Sequence, residues 1–158
     1  IEVEDIRIVR RFVSELRAVA VVAGSVDELA LARTVADAMR AGGIDAEAAL
    51  ADEYRGCTFA APDDLGYTPA QPDIRVDRPA ILLGSKETNA LIAALSAPAP
   101  LLPHVPDATY PGAGRGVIEY AWRPFSEYDD AVVIGASDIK GLDAAVSYFL
   151  ADVLRPHR

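Results

Sequence analysis

The sequence predicts an α/β fold: a mixed, mainly parallel sheet with helices packed on it, and a C-terminal β-hairpin plus helix. Three observations predict it. Three short β-branched runs lack polar alternation, as strands buried on both faces do. Each run ends in glycine and a small or hydroxyl residue, and a helical pattern follows it. The chain has 158 residues and is 51% hydrophobic, enough for one domain that buries about two thirds of its unfolded surface.

The first run is Ala18-Val19-Ala20-Val21-Val22-Ala23, followed by Gly24-Ser25. The second is Ala80-Ile81-Leu82-Leu83, followed by Gly84-Ser85, and the third is Ala131-Val132-Val133-Ile134, followed by Gly135-Ala136-Ser137-Asp138. Glycine permits the sharp turn, and each serine is placed to cap the next helix. Ser25-Val26-Asp27-Glu28 has the spacing of a capping box. Val26, Leu29, Ala32, Val35, Ala36 and Met39 then fall on one face, and Gly42-Gly43 ends that helix. A middle helix is expected over 86–95, stopped by Ala97-Pro98-Ala99-Pro100. The last helix carries the stripe Leu142, Ala145, Val146, Phe149 and Val153 and ends near Pro156.

Residues 44–50 read as a further strand. Gly116-Val117-Ile118-Glu119-Tyr120-Ala121-Trp122 has strand propensity. The link 123–130 is too short for a crossover helix, so this strand and 131–134 are expected to be antiparallel neighbours. Residues 1–16, with Ile6, Ile8, Val9, Phe12, Val13 and Leu16, form a lead-in: a helix, or a strand leading into one. They precede a single domain over 17–154 with long loops at 52–79 and 97–115. The start at Ile1 reads as a cut end or a processed one.

Composition excludes several classes of function. The net charge is −9, which opposes binding to nucleic acid or an anionic membrane surface. No apolar run approaches the roughly 20 residues that span a bilayer. Cys57 is the sole cysteine, so an internal disulfide and a multi-cysteine metal site are excluded. It follows Arg55-Gly56 with no histidine near in sequence and reads as an unreactive thiol.

No catalytic set, cofactor or metal is expected. There is no phosphate-binding loop, and Gly112-Ala113-Gly114-Arg115-Gly116 leads into a strand rather than a helix. Only His104 and His157 could serve as histidine bases, and no G-x-S-x-G elbow occurs. Glu119, Glu127, Asp129 and Asp130 could supply a carboxylate pair for glycoside hydrolysis, but acids are abundant and most of them read as solvated surface charge. Asp63, Asp64, Asp73 and Asp77 lack calcium-loop spacing.

Two groups of residues remain as ligand or interface candidates. Ser25, Ser85, Ser137 and Asp138 belong to the βα turns. With the long loops they are expected to share the sheet edge where open α/β sheets bind ligands. Tyr110, Tyr120, Trp122, Phe125 and Tyr128 are expected to cluster around the hairpin, where aromatic faces stack on sugars or anchor interfaces. Alternation puts Tyr120 and Trp122 on one face, and Glu119 and Ala121 on the other.

The run Ala80-Ile81-Leu82-Leu83-Gly84-Ser85-Lys86-Glu87-Thr88-Asn89-Ala90-Leu91-Ile92 resembles an element of a known group of domains. These are the non-catalytic α/β domains that precede catalytic modules in secreted glycoside hydrolases and heparinase-like polysaccharide-degrading proteins. They include the domain shared by hexosaminidases and α-glucuronidases. The run Tyr110-Pro111-Gly112-Ala113-Gly114-Arg115-Gly116-Val117-Ile118 looks like the same domain's hairpin. Ala131-Val132-Val133-Ile134-Gly135-Ala136-Ser137-Asp138, Gly141 and Ala144-Ala145 look like its last strand, turn and helix. Similar strings occur in archaeal surface-layer proteins. The resemblance covers residues 18–154 and is poorest at 52–79. It implies an extracellular or cell-surface accessory domain and brings no catalytic residues.

The expected function is therefore a non-catalytic accessory or architectural domain of a secreted or cell-surface protein. Its partners would be a neighbouring domain, copies of itself or a glycan, with no nucleic acid and no membrane insertion. One alternative is a self-assembling surface-layer or filament subunit. The other is a small enzyme or ligand-binding protein using the βα-turn edge.

Overall fold

A computed structural model describes residues 2–3, 6–58, 74–96, 101–126 and 128–154. The strands are β1 (Glu2–Val3), β2 (Ala18–Ala23), β3 (Asp45–Leu50), β4 (Cys57–Thr58), β5 (Arg75–Val76), β6 (Ala80–Gly84), β7 (Gly116–Ala121) and β8 (Ala131–Ala136). The helices are α1 (Ile6–Ser14), α2 (Val26–Ala41), α3 (Ala90–Ala94) and α4 (Ile139–Tyr148), the last continuing as a π-helical segment, Phe149–Leu154.

Six strands form one sheet in the order β1-β7-β8-β6-β2-β3, and β4 and β5 form a separate antiparallel pair. The expected α/β fold is present. β2, β3, β6 and β8 are mutually parallel. β7 runs antiparallel to β8, from Gly116 opposite Ala136 to Ala121 opposite Ala131. Residues 1–16 supply both a strand and a helix: β1 pairs with β7 and α1 packs on the core. Calls that fall on Asp63, Asp64, Asp73, 97–100, Glu127, Pro156 and His157 lie outside the described residues.

The central strands are buried on both faces, which explains their unbroken apolar runs. Val19, Val21, Ile81, Leu83, Val132 and Ile134 face α1, α2, α4 and the π-helical segment. Ala20, Val22, Leu82 and Val133 face α3, Tyr54, Leu102 and Phe125. Fully burying a side chain such as Phe149 or Ile81 contributes about 2–3 kcal/mol. The Arg10 guanidinium fastens α1 to the chain's far end, donating to the Asp152 carbonyl from Nε and Nη2 at 3.1 and 2.9 Å.

Two expectations about helix starts need correction. Ser25 does cap α2, accepting from Glu28 N. Ser85 and Ser137 cap nothing: Asn89 is the cap of α3 and Asp138 of α4. The middle helix accordingly begins at Ala90, four residues later than the pattern suggests, because Asn89 N binds Ser85 O and Thr88 Oγ1 accepts from Ser85 N. These bonds close a turn over 85–88 where the first helical turn was expected. Val26 lies on the α2 stripe but at its first position, and it is 75% exposed.

Asn89 is completely buried. Its Oδ1 accepts from Leu91 N at 3.0 Å, and its Nδ2 donates to Val22 O and Leu83 O, both at 3.0 Å. Gly24 lies so close to this turn that an added Cβ would stand 2.6 Å from Asn89 Cα and 1.8 Å from Thr88 O. Asn89→Ala removes the cap and leaves two buried carbonyls without this donor. The expected loss is about 3 kcal/mol, a fall of about 6–12 °C in melting temperature for a chain of this size. Thermal and denaturant unfolding check it; a change within error would remove Asn89 from this role.

Candidate functional site

The C-terminal ends of β2, β6 and β8 lie side by side. The chain leaves β2 and β8 toward one face of the sheet, where α2 and α4 pack, and leaves β6 toward the other, where α3 packs. Adjacent strands whose connections diverge to opposite faces open a crevice between them, the usual ligand position in α/β sheets. A cavity of about 160 Å³ occupies that place. Its lining includes Ser25, Ser85, Ser137 and Asp138, so the four βα-turn candidates do meet around one space.

Most of these groups are engaged by the chain's own backbone. Ser137 Oγ accepts from Gly112 N at 3.0 Å. Asp138 Oδ1 accepts from Gly141 N at 2.8 Å, and Oδ2 from Gly114 N at 3.0 Å. The hydrogen bonds from Gly141 N and Gly114 N hold the Asp138 carboxyl below the usual aspartate value, and Lys140 adds to the effect. Lys86 N donates to Pro106 O at 2.8 Å. Asp107 folds the same loop by accepting from Thr109 N and Tyr110 N at 2.9 and 2.8 Å. The stretch 101–115 is thereby laced along this edge. The described part of the other long loop reaches the opposite edge instead, where Val76 N binds Phe125 O.

Glu28 is the residue that sequence reasoning undervalued. It is only 7% exposed, and its Oε1 accepts from Gly24 N at 2.9 Å. Gly84, at φ +119°, leaves room for it: a Cβ there would stand 2.6 Å from Glu28 Oε2. Burial pushes the Glu28 carboxyl above the usual glutamate value, opposed by hydrogen bonds from Thr88, Gly24 and Ser25. The capping-box spacing was the available signal. It marks the reach of Glu28 back over the turn, but not the neighbouring turn that closes over it.

The five aromatic candidates do not form one cluster. β7 starts at the βα-turn edge, so Tyr110 lies there, its ring centroid 5.2 Å from that of His104. The turn into β8 lies at the opposite edge with Trp122, Phe125 and Tyr128. Phe125 is 2% exposed and belongs to the core. Tyr120 is half-buried against the helical face, and its hydroxyl donates to Asp130 Oδ2 at 2.5 Å. Burial and the Asp130 carboxylate both raise the Tyr120 pKa. Trp122 and Tyr128 are 63% and 75% exposed. Arg123 has φ +44°, its N–H donates to Asp130 Oδ1 at 2.9 Å, and its guanidinium stands 4.9 Å from the Trp122 ring centroid. Asp129 is raised by desolvation, and its neighbours Asp130 and Asp77 add to the effect.

A broader groove of about 830 Å³ opens elsewhere, between the C-terminal ends of α1 and α2 and the π-helical segment. Val13, Leu16, Ile44, Leu150 and Leu154 line it, and among the described residues no titratable side chain does. Among the described residues no three His, Cys, Asp or Glu side chains converge to hold a metal ion. No helix among them is long and apolar enough to cross a membrane. No family model, curated protein or solved structure matches the chain.

Two measurements test this edge. A carboxyl whose pKa is raised by folding contributes its full stability below the unfolded value, and that contribution fades as pH rises through the folded value. Glu28→Gln lacks the fade. The unfolding free energy of wild type minus that of Glu28→Gln should therefore fall as pH rises above the ordinary glutamate value of about 4.3. A flat difference in denaturant melts would contradict the raised pKa. Asp138→Ala should lower the melting temperature and speed amide exchange at Gly114 and Gly141; unchanged exchange at both would dissociate the loop from the cap.

Proposed function

We propose that this chain is a non-catalytic accessory or architectural domain of a secreted or cell-surface protein. It acts by contact with a neighbouring domain, another copy of itself or a glycan, through the hairpin end of its sheet. The observation that carries this reading is the pair Trp122 and Tyr128, large aromatic side chains left 63% and 75% exposed on one short turn. Exposed aromatics on a fixed backbone supply contact area at low entropic cost. The backbone here is fixed, with Asp130 binding both Tyr120 and Arg123 N.

The opposite edge supports the same reading from the other direction. Its polar side chains satisfy helix ends and the 101–115 loop. The remaining space, about 160 Å³, is below the roughly 300 Å³ at which pockets for drug-sized ligands begin. The resemblance carried by residues 80–92, 110–118 and 131–145 points toward an extracellular setting and is the basis for that part of the proposal.

Trp122→Ala and Tyr128→Ala should leave unfolding unchanged within about 0.5 kcal/mol, as exposed substitutions do. Either retention on insoluble polysaccharides or concentration-dependent assembly, measured by sedimentation, should weaken by about fivefold or more. If neither property of the wild-type protein responds to either variant, the hairpin is not the contact surface.

A further inference from the structure

The turn between β7 and β8 carries its charge in two halves. In sequence, residues 122–130 place their one cation, Arg123, near the start and the acids Glu127, Asp129 and Asp130 at the end. The fold keeps these halves apart. Arg123 and Arg11 both act on the Tyr120 hydroxyl, opposing the rise in its pKa. The cations therefore lie on the helical side of the turn, where Tyr120 packs. Asp129 lies toward the other side, beside Asp77 at the end of β5. Desolvation raises its carboxyl, and the two charges that act on it, Asp130 and Asp77, are both carboxylates.

Most charges at this end are engaged within the chain. Asp130 binds the Tyr120 hydroxyl and Arg123 N. Asp77 accepts from the Tyr54 hydroxyl and lies 3.5 Å from Arg78 Nε. Arg11 pairs with Glu15 at 3.9 Å, both well exposed, a contact of little worth. Arg123 and Asp129 form no ion pair among the described residues. Each follows an exposed aromatic, Trp122 or Tyr128. One half of the turn is thus an aromatic and a cation, the other an aromatic and an anion. A two-fold axis through the turn sets each half against its opposite, as a contact between identical surfaces requires. A neutral glycan would answer neither charge, and an anionic one would meet the three aspartates. Complementarity of sign fixes partner and register more than it adds affinity.

We infer that two copies of this chain meet at their hairpin ends across a two-fold axis, Trp122 and Arg123 of each copy lying against Tyr128 and Asp129 of the other. This inference rests on the preceding reading of the hairpin as the contact surface and narrows its partner to a second copy. The net charge of −9 on each copy opposes association at long range. Salt screens that repulsion beyond about 8 Å at physiological ionic strength, and the local pairing remains. A contact confined to one turn and its surroundings falls below about 1,200 Å² in total, the range of weak, reversible association.

The test is sedimentation equilibrium of the whole chain from micromolar to millimolar concentration at physiological ionic strength. Wild type should pass from monomer to dimer and no further, because a two-fold contact closes on itself. Arg123→Glu and Asp129→Lys should each weaken the dimer by about fivefold or more, since each sets like charges together at two symmetry-related places. Mixed in equal amounts, the two variants should dimerise with each other at close to wild-type strength. The mixed pair restores opposite charges at both places, a rescue that structural damage to either variant would not show. Should Asp129→Lys not fold, Asp129→Asn replaces it, keeping an acceptor for Ser126; its dimer should also be weaker, and an undiminished one overturns the pairing. The pairing is equally overturned if wild type stays monomeric to millimolar concentration, if it grows beyond a dimer, or if mixing gives no rescue. Trp122→Ala separates this failure from that of the broader reading. If it lowers retention on polysaccharide by a monomeric wild type, or weakens an assembly that the charge variants leave unchanged, the hairpin remains the contact surface and the pairing alone falls. If it changes neither property, both fall.

Discussion

Where two neighbouring strands send their chains to opposite faces of a sheet, their ends must be tied against the divergence, and in this domain one buried amide does so. Asn89 donates from Nδ2 to the carbonyls of Val22 and Leu83, the next-to-last residues of β2 and β6, and caps α3 through Oδ1. Every one of these bonds is buried, where a lost partner costs most. Gly24 complements it, because only a residue without Cβ lets the β2–α2 turn lie against Thr88 and Asn89. The position of α2, the seating of Glu28 and the crevice beside it all follow from that contact.

The two ends of the sheet consequently differ in character. At the βα-turn edge polar side chains are drawn inward, each to a backbone N–H: Ser25 to Glu28, Ser137 to Gly112, Asp138 to Gly141 and Gly114. Such groups have few free lone pairs for substrate chemistry, and they rigidify the loop 101–115. At the hairpin edge the carboxylate of Asp130 fixes the backbone while the largest side chains point outward. Tyr54, whose hydroxyl donates to Asp77 at 2.6 Å, repeats the device beside the short β4–β5 pair. A tyrosine anchored by an aspartate is a structural group here, with both burial and the aspartate raising its pKa.

Legibility in the sequence varied with the range of the interaction. The β2, β6 and β8 runs were readable because burial on both faces removes polar alternation, whatever lies on either side. The α2 stripe and its cap were readable because the residues involved lie within one or two helical turns. The caps of α3 and α4 were misplaced because serine, asparagine and aspartate all compete for the same N–H groups. Which of them wins at 85–89 depends on Val22, a residue 67 positions away. Phe125 and Tyr128 look alike in the sequence, yet one fills the core and the other faces solvent.

By itself the sequence determined the fold class, the three strand–turn–helix units, the antiparallel hairpin, and which residue types stood at the turns. These follow from periodicity and local sterics, which act over a few residues. Only the tertiary structure decided that the aromatics split between opposite edges, that Glu28 is sealed by a turn from another unit, and that Asn89 rather than Ser85 caps α3. Each of those outcomes depends on strand order, and strand order sets which distant backbone groups compete for a given side chain.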